Sequence, residues 1–187
     1  MEHRDNIQHL FKQMEIPDGY KLYGGTVHAG FVIGGHIHVG LKANVHELGN
    51  YLSYYCGIPL KKIERVVDLK KRGLSEGNYG YYGNTYDKPY GVEWRMPSSW
   101  LCSREITTAA LCLSYVCAQE YDIKPESKAI SYNAYKGLVS GDISEIIKGI
   151  EKMEYFYLYH SEIEPLLQMV NNSEHWDVEQ ELMAEWT

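Results

Sequence analysis

Two short stretches carry side chains whose types and spacing suit chemistry on phosphate or metal. GGHIHVG at residues 34–40 places His36 and His38 two apart. In an extended chain alternate residues share a face, so both imidazoles point one way while Ile37, Val39 and Leu41 point the other. YGVEWRM at residues 90–96 repeats the design, with Glu93 and Arg95 on one face and Val92, Trp94 and Met96 on the other. If the two strands are neighbours in one sheet, four polar groups line one surface. A carboxylate and an imidazole can hold a divalent cation. An arginine and a second imidazole can hold phosphate or carboxylate oxygens. Glycines at 34, 35, 40 and 91 let a ligand approach the backbone closely.

Other chemistries fit these residues less well. His-x-His resembles a cupin metal site, but Lys42 and Ala43 stand where a carboxylate should follow. His46 could complete a three-histidine zinc site only by leaving its predicted helix. His28, His46, His160 and His175 read as structural histidines. There is no nucleophile elbow, Walker loop or dinucleotide fingerprint.

The elements that must position the polar face are legible from periodicity. Residues 2–15 read as a helix, Ile16-Pro17-Asp18-Gly19 as a turn and Tyr20–Leu41 as extended chain, either two strands broken near Gly34-Gly35 or one long bent strand. Asn44, with Glu47 three residues on, opens a capped helix that Gly57-Ile58-Pro59 should end. Residues 60–72 form a more basic amphipathic piece. The tyrosine-rich stretch 79–90 reads as a glycine-rich loop half-covering the core, with a stacking or partner surface as the sharper alternative. Ser103 caps a long helix to about Tyr121. Further helices are expected from about Asp142 to Tyr157, from a capping box at Ser161-Glu162-Ile163-Glu164 with Pro165 in the first turn, and after Ser173. The prediction is an α+β fold in a single domain over 1–187. Its small, mostly antiparallel sheet has helices packed on one face within 20–125, and 126–187 is helical.

Composition narrows the function classes. The 187 residues suffice for a real core, and 44% are hydrophobic. A net charge of −7, with no basic face, disfavours nucleic-acid binding. Cys56, Cys102, Cys112 and Cys117 show no metal or disulfide spacing and read as thiols in a reducing compartment. With no signal-like N-terminus and no apolar run long enough for a membrane, the expected location is cytoplasmic.

GGHIHVGL and YGVEWRMPSSWL resemble the two signature segments of the phage-type COOH–NH2 ligases, amidoligases related to glutamate–cysteine ligase and glutamine synthetase. Arg72 and Tyr79-Gly80, Gly83 and Lys88-Pro89-Tyr90-Gly91 also resemble that family, and the likeness spans roughly residues 25–120. It implies a glutamine-synthetase-like sheet that binds ATP with Mg²⁺ or Mn²⁺, activates a carboxylate as an acyl phosphate and lets an amine attack it. By position it implies His36 and Glu93 as metal ligands, and His38, Arg72 and Lys88 as contacts to ATP. Arg95 would stabilise the transferring phosphoryl group.

Two departures shape the expectation. The family's acidic strands should precede the histidine segment, yet the 33 residues before Gly34 hold only Glu2, Asp5, Glu15 and Asp18. Tyr86 stands where an arginine is usual. The chain therefore looks like the C-terminal half of a ligase site, as a partial glutamine-synthetase-like fold. One reading is a divergent ligase whose missing half comes from another chain. Another is a domain that binds nucleotide or metal without catalysis. A third is an inactive, phage-encoded protein that inhibits a host protein such as a defence nuclease. A homodimer or a complex with another protein is expected, because half a sheet leaves an open edge.

Overall fold

The computed structural model describes residues 2–24, 27–28, 31–32, 34–65, 69, 80–176 and 181–186. The sheet that matters is small, with three antiparallel strands in the order β3–β5–β4. These are β3 (Ile37–Val39), β4 (Thr85–Lys88) and β5 (Gly91–Trp94). A separate short pair joins β1 (Val27–His28) to β2 (Phe31–Val32). The fold class is α+β, as the sequence implied.

Register carries the expected alternation into space. Ile37 pairs with Trp94, His38 with Glu93 and Val39 with Val92. On the other side of β5, Tyr86 pairs with Glu93 and Lys88 with Gly91. The apolar face buries Ile37, Val92 and Trp94, and Met96 beyond the strand end. Helix α2 (Val45–Leu52) lies on β4 and β5. The long helix α4 (Arg104–Ile123) crosses β3 and packs on α2. Ile106, Ala109, Ala110 and Leu113 of α4 are buried there, as its periodicity required. Ser103 caps α4 through the Ile106 N–H, and Asn44 caps α2 through the N–H groups of His46 and Glu47.

Several boundaries differ from the sequence reading. Residues 85–88 are a strand rather than loop, joined to β5 by the two-residue turn Pro89-Tyr90. Gly57-Ile58-Pro59 does not end the helix. The chain passes through a π-helical turn, Ser53–Gly57, into α3 (Ile58–Lys62). The Ile58 N–H reaches back to the Ser53 carbonyl, and Pro59, which has no N–H to offer, follows where helix positions tolerate it. Glu47 does not close a capping box but accepts from the Tyr121 hydroxyl. Much of 60–72 lies outside the described residues.

The C-terminal part is helical in shorter pieces than expected: α5 (Tyr132–Ser140), α6 (Ser144–Glu151), α7 (His160–Asn171) and α8 (Leu182–Trp186). Helix α7 begins before the supposed capping box, because the Tyr159 carbonyl accepts from Glu162 and Ile163 and starts the helix through the backbone. Pro165 therefore sits inside it. No helix follows Ser173 directly, since Ser173 turns with a φ of 56° and Trp176 bonds the Ile63 carbonyl. The N-terminal helix α1 (Glu2–Gln13) makes a second small core with α8, where Phe11 stacks on Trp186. Among the described residues no helix is long and apolar enough to cross a membrane, and the four cysteines are free thiols.

Candidate functional site

One hydroxyl explains how the sheet is set against the helices. Ser53, fully buried in the π-turn, accepts from the Gly83 N–H ahead of β4 and from the Trp94 indole N–H on β5. With Trp94 held inward, pleat alternation forces Glu93 and Arg95 to the opposite face. That face also carries His36 and His38 from β3 and its approach, and Tyr86 and Lys88 from β4.

These groups converge on Glu93, whose side chain is only 9% exposed. His36 Nδ1 lies 2.9 Å from Oε1, and Arg95 Nε lies 3.2 Å from the same oxygen. Lys88 Nζ is 2.7 Å from Oε2. Arg95 Nε–H also donates to His36 Nε2 at 3.2 Å. One ring nitrogen of His36 thus faces Glu93 and the other faces Arg95. The Arg95 guanidinium lies over the Tyr86 ring, 4.8 Å from its centroid. His38 is exposed, hydrogen-bonded through Nδ1 to the Tyr90 hydroxyl.

The structure thus brings together His36, His38, Lys88, Glu93 and Arg95. Arg72 lies outside the described residues. Tyr86 and Tyr90 also belong to the face, Tyr86 where the family has an arginine and Tyr90 within the family-like run, though neither is a candidate site residue by sequence. Tyr86 could have been found as the residue alternating with Lys88, whereas the Tyr90 bond to His38 has no signal in spacing. Two of the four glycines serve packing rather than a ligand. A Cβ on Gly35 would sit 2.1 Å from the Trp100 indole nitrogen, and one on Gly91 2.1 Å from the Val39 carbonyl. Gly34 and Gly40 remain exposed.

Charge decides what the face can hold. Two cations, Lys88 and Arg95, surround one carboxylate, with His36 against the same oxygen as Arg95. Such a surface suits phosphate or carboxylate oxygens. It does not suit a bare divalent ion. Both Glu93 oxygens are engaged by donors, both His36 nitrogens are engaged, and Mg²⁺ takes six oxygens. Among the described residues no group of three or more His, Cys, Asp or Glu is placed to share a metal.

The ion pairs also set a pH response. The Lys88 hydrogen bond, aided by the charges of Lys88 and Arg95 against an opposing effect of burial, holds the Glu93 carboxyl below the usual glutamate range. A lowered native pKa contributes stability fully above the ordinary value of about 4.3 and loses it as pH falls through the native value. Glu93 raises the Lys88 pKa, so that share is full below about 10.4 and lost as pH rises through the higher native value. The pair is therefore intact across neutral pH. Denaturant midpoints should drop on acidification through the carboxylate range, and Glu93→Gln should flatten part of that drop. An unchanged slope in Glu93→Gln would show that these contacts do not stabilise the fold.

The chain matches the family described as phage phiEco32-like COOH.NH2 ligase-type 2 over residues 4–187. The match runs well past the 25–120 stretch that carries the motifs, into α1 on one side and through α8 on the other. No curated protein matches, and no solved structure matches.

Proposed function

Because the chain belongs to the phage COOH–NH2 ligase-type 2 family, we propose that its polar sheet face binds ATP and serves an ATP-dependent joining of a carboxylate to an amine. The observation that carries this reading is the cluster around Glu93, where a lysine and an arginine on neighbouring strands are held by one carboxylate. ATP, when bound, supplies the phosphoryl group that converts a carboxylate to an acyl phosphate.

This chain's residues would act on charge and position. Arg95 is fixed along its length by Glu93, His36 and the Tyr86 ring, so its guanidinium is oriented before a ligand arrives. A prearranged donor of that kind stabilises charge that spreads over phosphoryl oxygens. Lys88 adds a point charge, and His38, steadied by Tyr90, offers its second ring nitrogen from the β3 side. Glu93 acts by holding the cations rather than by touching the ligand.

Calorimetric titration of ATP, with and without Mg²⁺ or Mn²⁺, tests the reading. A charged hydrogen bond contributes roughly 1.5–3 kcal/mol, so Arg95→Ala should weaken ATP binding about 10- to 100-fold. No heat at millimolar ATP under either condition would remove the nucleotide reading.

A further inference from the structure

We infer that Lys88 occupies on Glu93 the place a divalent cation would take, and that the polar face holds polyphosphate oxygens without a divalent metal. The inference rests on the ATP-binding reading above and specifies its chemistry.

The geometry comes from strand register. Lys88 stands directly opposite Gly91, not opposite Glu93. Because Gly91 has no side chain, the lysine stem can lie diagonally across β5 and bring its ammonium to 2.7 Å from Glu93 Oε2. Diagonal neighbours in a sheet are within reach of long side chains. The turn Pro89-Tyr90 fixes the origin of that stem beside β5. On the other oxygen, Oε1, His36 and Arg95 already meet. A metal ion at Glu93 would have to expel Lys88 or Arg95 from a carboxylate that is nine-tenths buried. It would then find His36 with one nitrogen facing that carboxylate and the other facing arginine.

The arrangement leaves donors for an anion. An ammonium has three N–H groups, and Glu93 uses one. Lys88 is about one-third exposed, and among the described residues the remaining protons are open to a ligand. The net sign of Lys88, Arg95 and Glu93 is positive, which is the balance a metal would otherwise provide beside phosphate oxygens.

The test uses inorganic tripolyphosphate as the anion and Mn²⁺ as the metal, each added alone to the full chain. In EDTA, the unaltered protein should bind tripolyphosphate, and Lys88→Met should weaken that binding at least tenfold. Lys88 is peripheral to the core, and an unchanged circular dichroism melt would show that the variant folds. Electron paramagnetic resonance should detect no Mn²⁺ site that Glu93→Gln removes. Tripolyphosphate bound only when Mg²⁺ is present, or Mn²⁺ bound by the unaltered protein and lost in Glu93→Gln, would overturn the inference. ATP held solely as its Mg²⁺ complex would overturn it too, while leaving the ligase reading in place. ATP bound in EDTA no more tightly than tripolyphosphate would support the inference and remove the nucleotide reading.

Discussion

Replacing Lys61 by alanine should lower the free energy of unfolding by about 3–5 kcal/mol, the cost of leaving a buried charge without its partner. Lys61 is fully buried and Glu64 is 1% exposed, yet their charged atoms meet at 2.8 Å. The ammonium also donates to Ser98 Oγ at 2.6 Å. Removing it strands a carboxylate whose second oxygen, Oε2, already lacks a hydrogen-bond partner among the described residues. The consequence should reach the polar face. Ser98 follows β5 by four residues, and its carbonyl accepts the Gly35 N–H just ahead of His36. The pair in α3 and after it thus pins the segments that carry Arg95 and His36. Denaturant unfolding would give the loss directly, and tripolyphosphate binding should weaken with it. The double replacement Lys61→Met with Glu64→Leu removes both charges at similar volume and should recover most of the stability, because apolar substitutes for buried pairs are often neutral or better. A single-variant loss below about 1 kcal/mol, the value of a solvated pair, would contradict the burial argument.

What could be read from residue order depended on whether a pattern was local. Val92, Trp94 and Met96 alternating with Glu93 and Arg95 announce a half-buried strand, and β5 is that strand. The likeness between its design and GGHIHVG left their adjacency as a condition, and the pairing of β3 with β5 meets it. Thr85-Tyr86-Asp87-Lys88 gave no such signal. Of its two positions opposite the buried Trp94 and Val92, Thr85 packs beside Gly49 and donates to the Val45 carbonyl and Asp87 is exposed, so neither carries an apolar side chain. Lys61 was equally hidden: in LKKIER it reads as one charge of a solvated face, and only tertiary packing buries it. The pairing of Glu93 with Lys88 is the most consequential case. His36 and Glu93 are residue types that bind metals, and nothing local argues against that role. What would favour anions there, on the inference above, is a diagonal register between strands whose existence in β4 was itself not legible.

Gly91 should be the least replaceable residue of the sheet, and Gly91→Ala should cost about 3 kcal/mol or more through backbone strain and overpacking together. Its φ is 149°, a conformation that a side chain disfavours. An added Cβ would also lie 2.1 Å from the Val39 carbonyl and 2.9 Å from the Leu41 amide. Those atoms belong to the β3 segment, so the clash cannot relax by moving a flexible side chain. It must part β3 from β5, and with them His36 from Glu93. Stability and tripolyphosphate binding should therefore fall together. Gly40→Ala separates backbone need from ligand need. Among the described residues a Cβ there meets only the Tyr90 carbonyl, at an ordinary 4.0 Å, so unfolding should shift by less than about 0.5 kcal/mol. If Gly40→Ala leaves stability unchanged but abolishes anion binding, the exposed backbone beside Gly91 is itself part of the ligand floor. If Gly91→Ala melts as the unaltered protein does, the β3–β5 contact described here is not what holds the two halves of the face together.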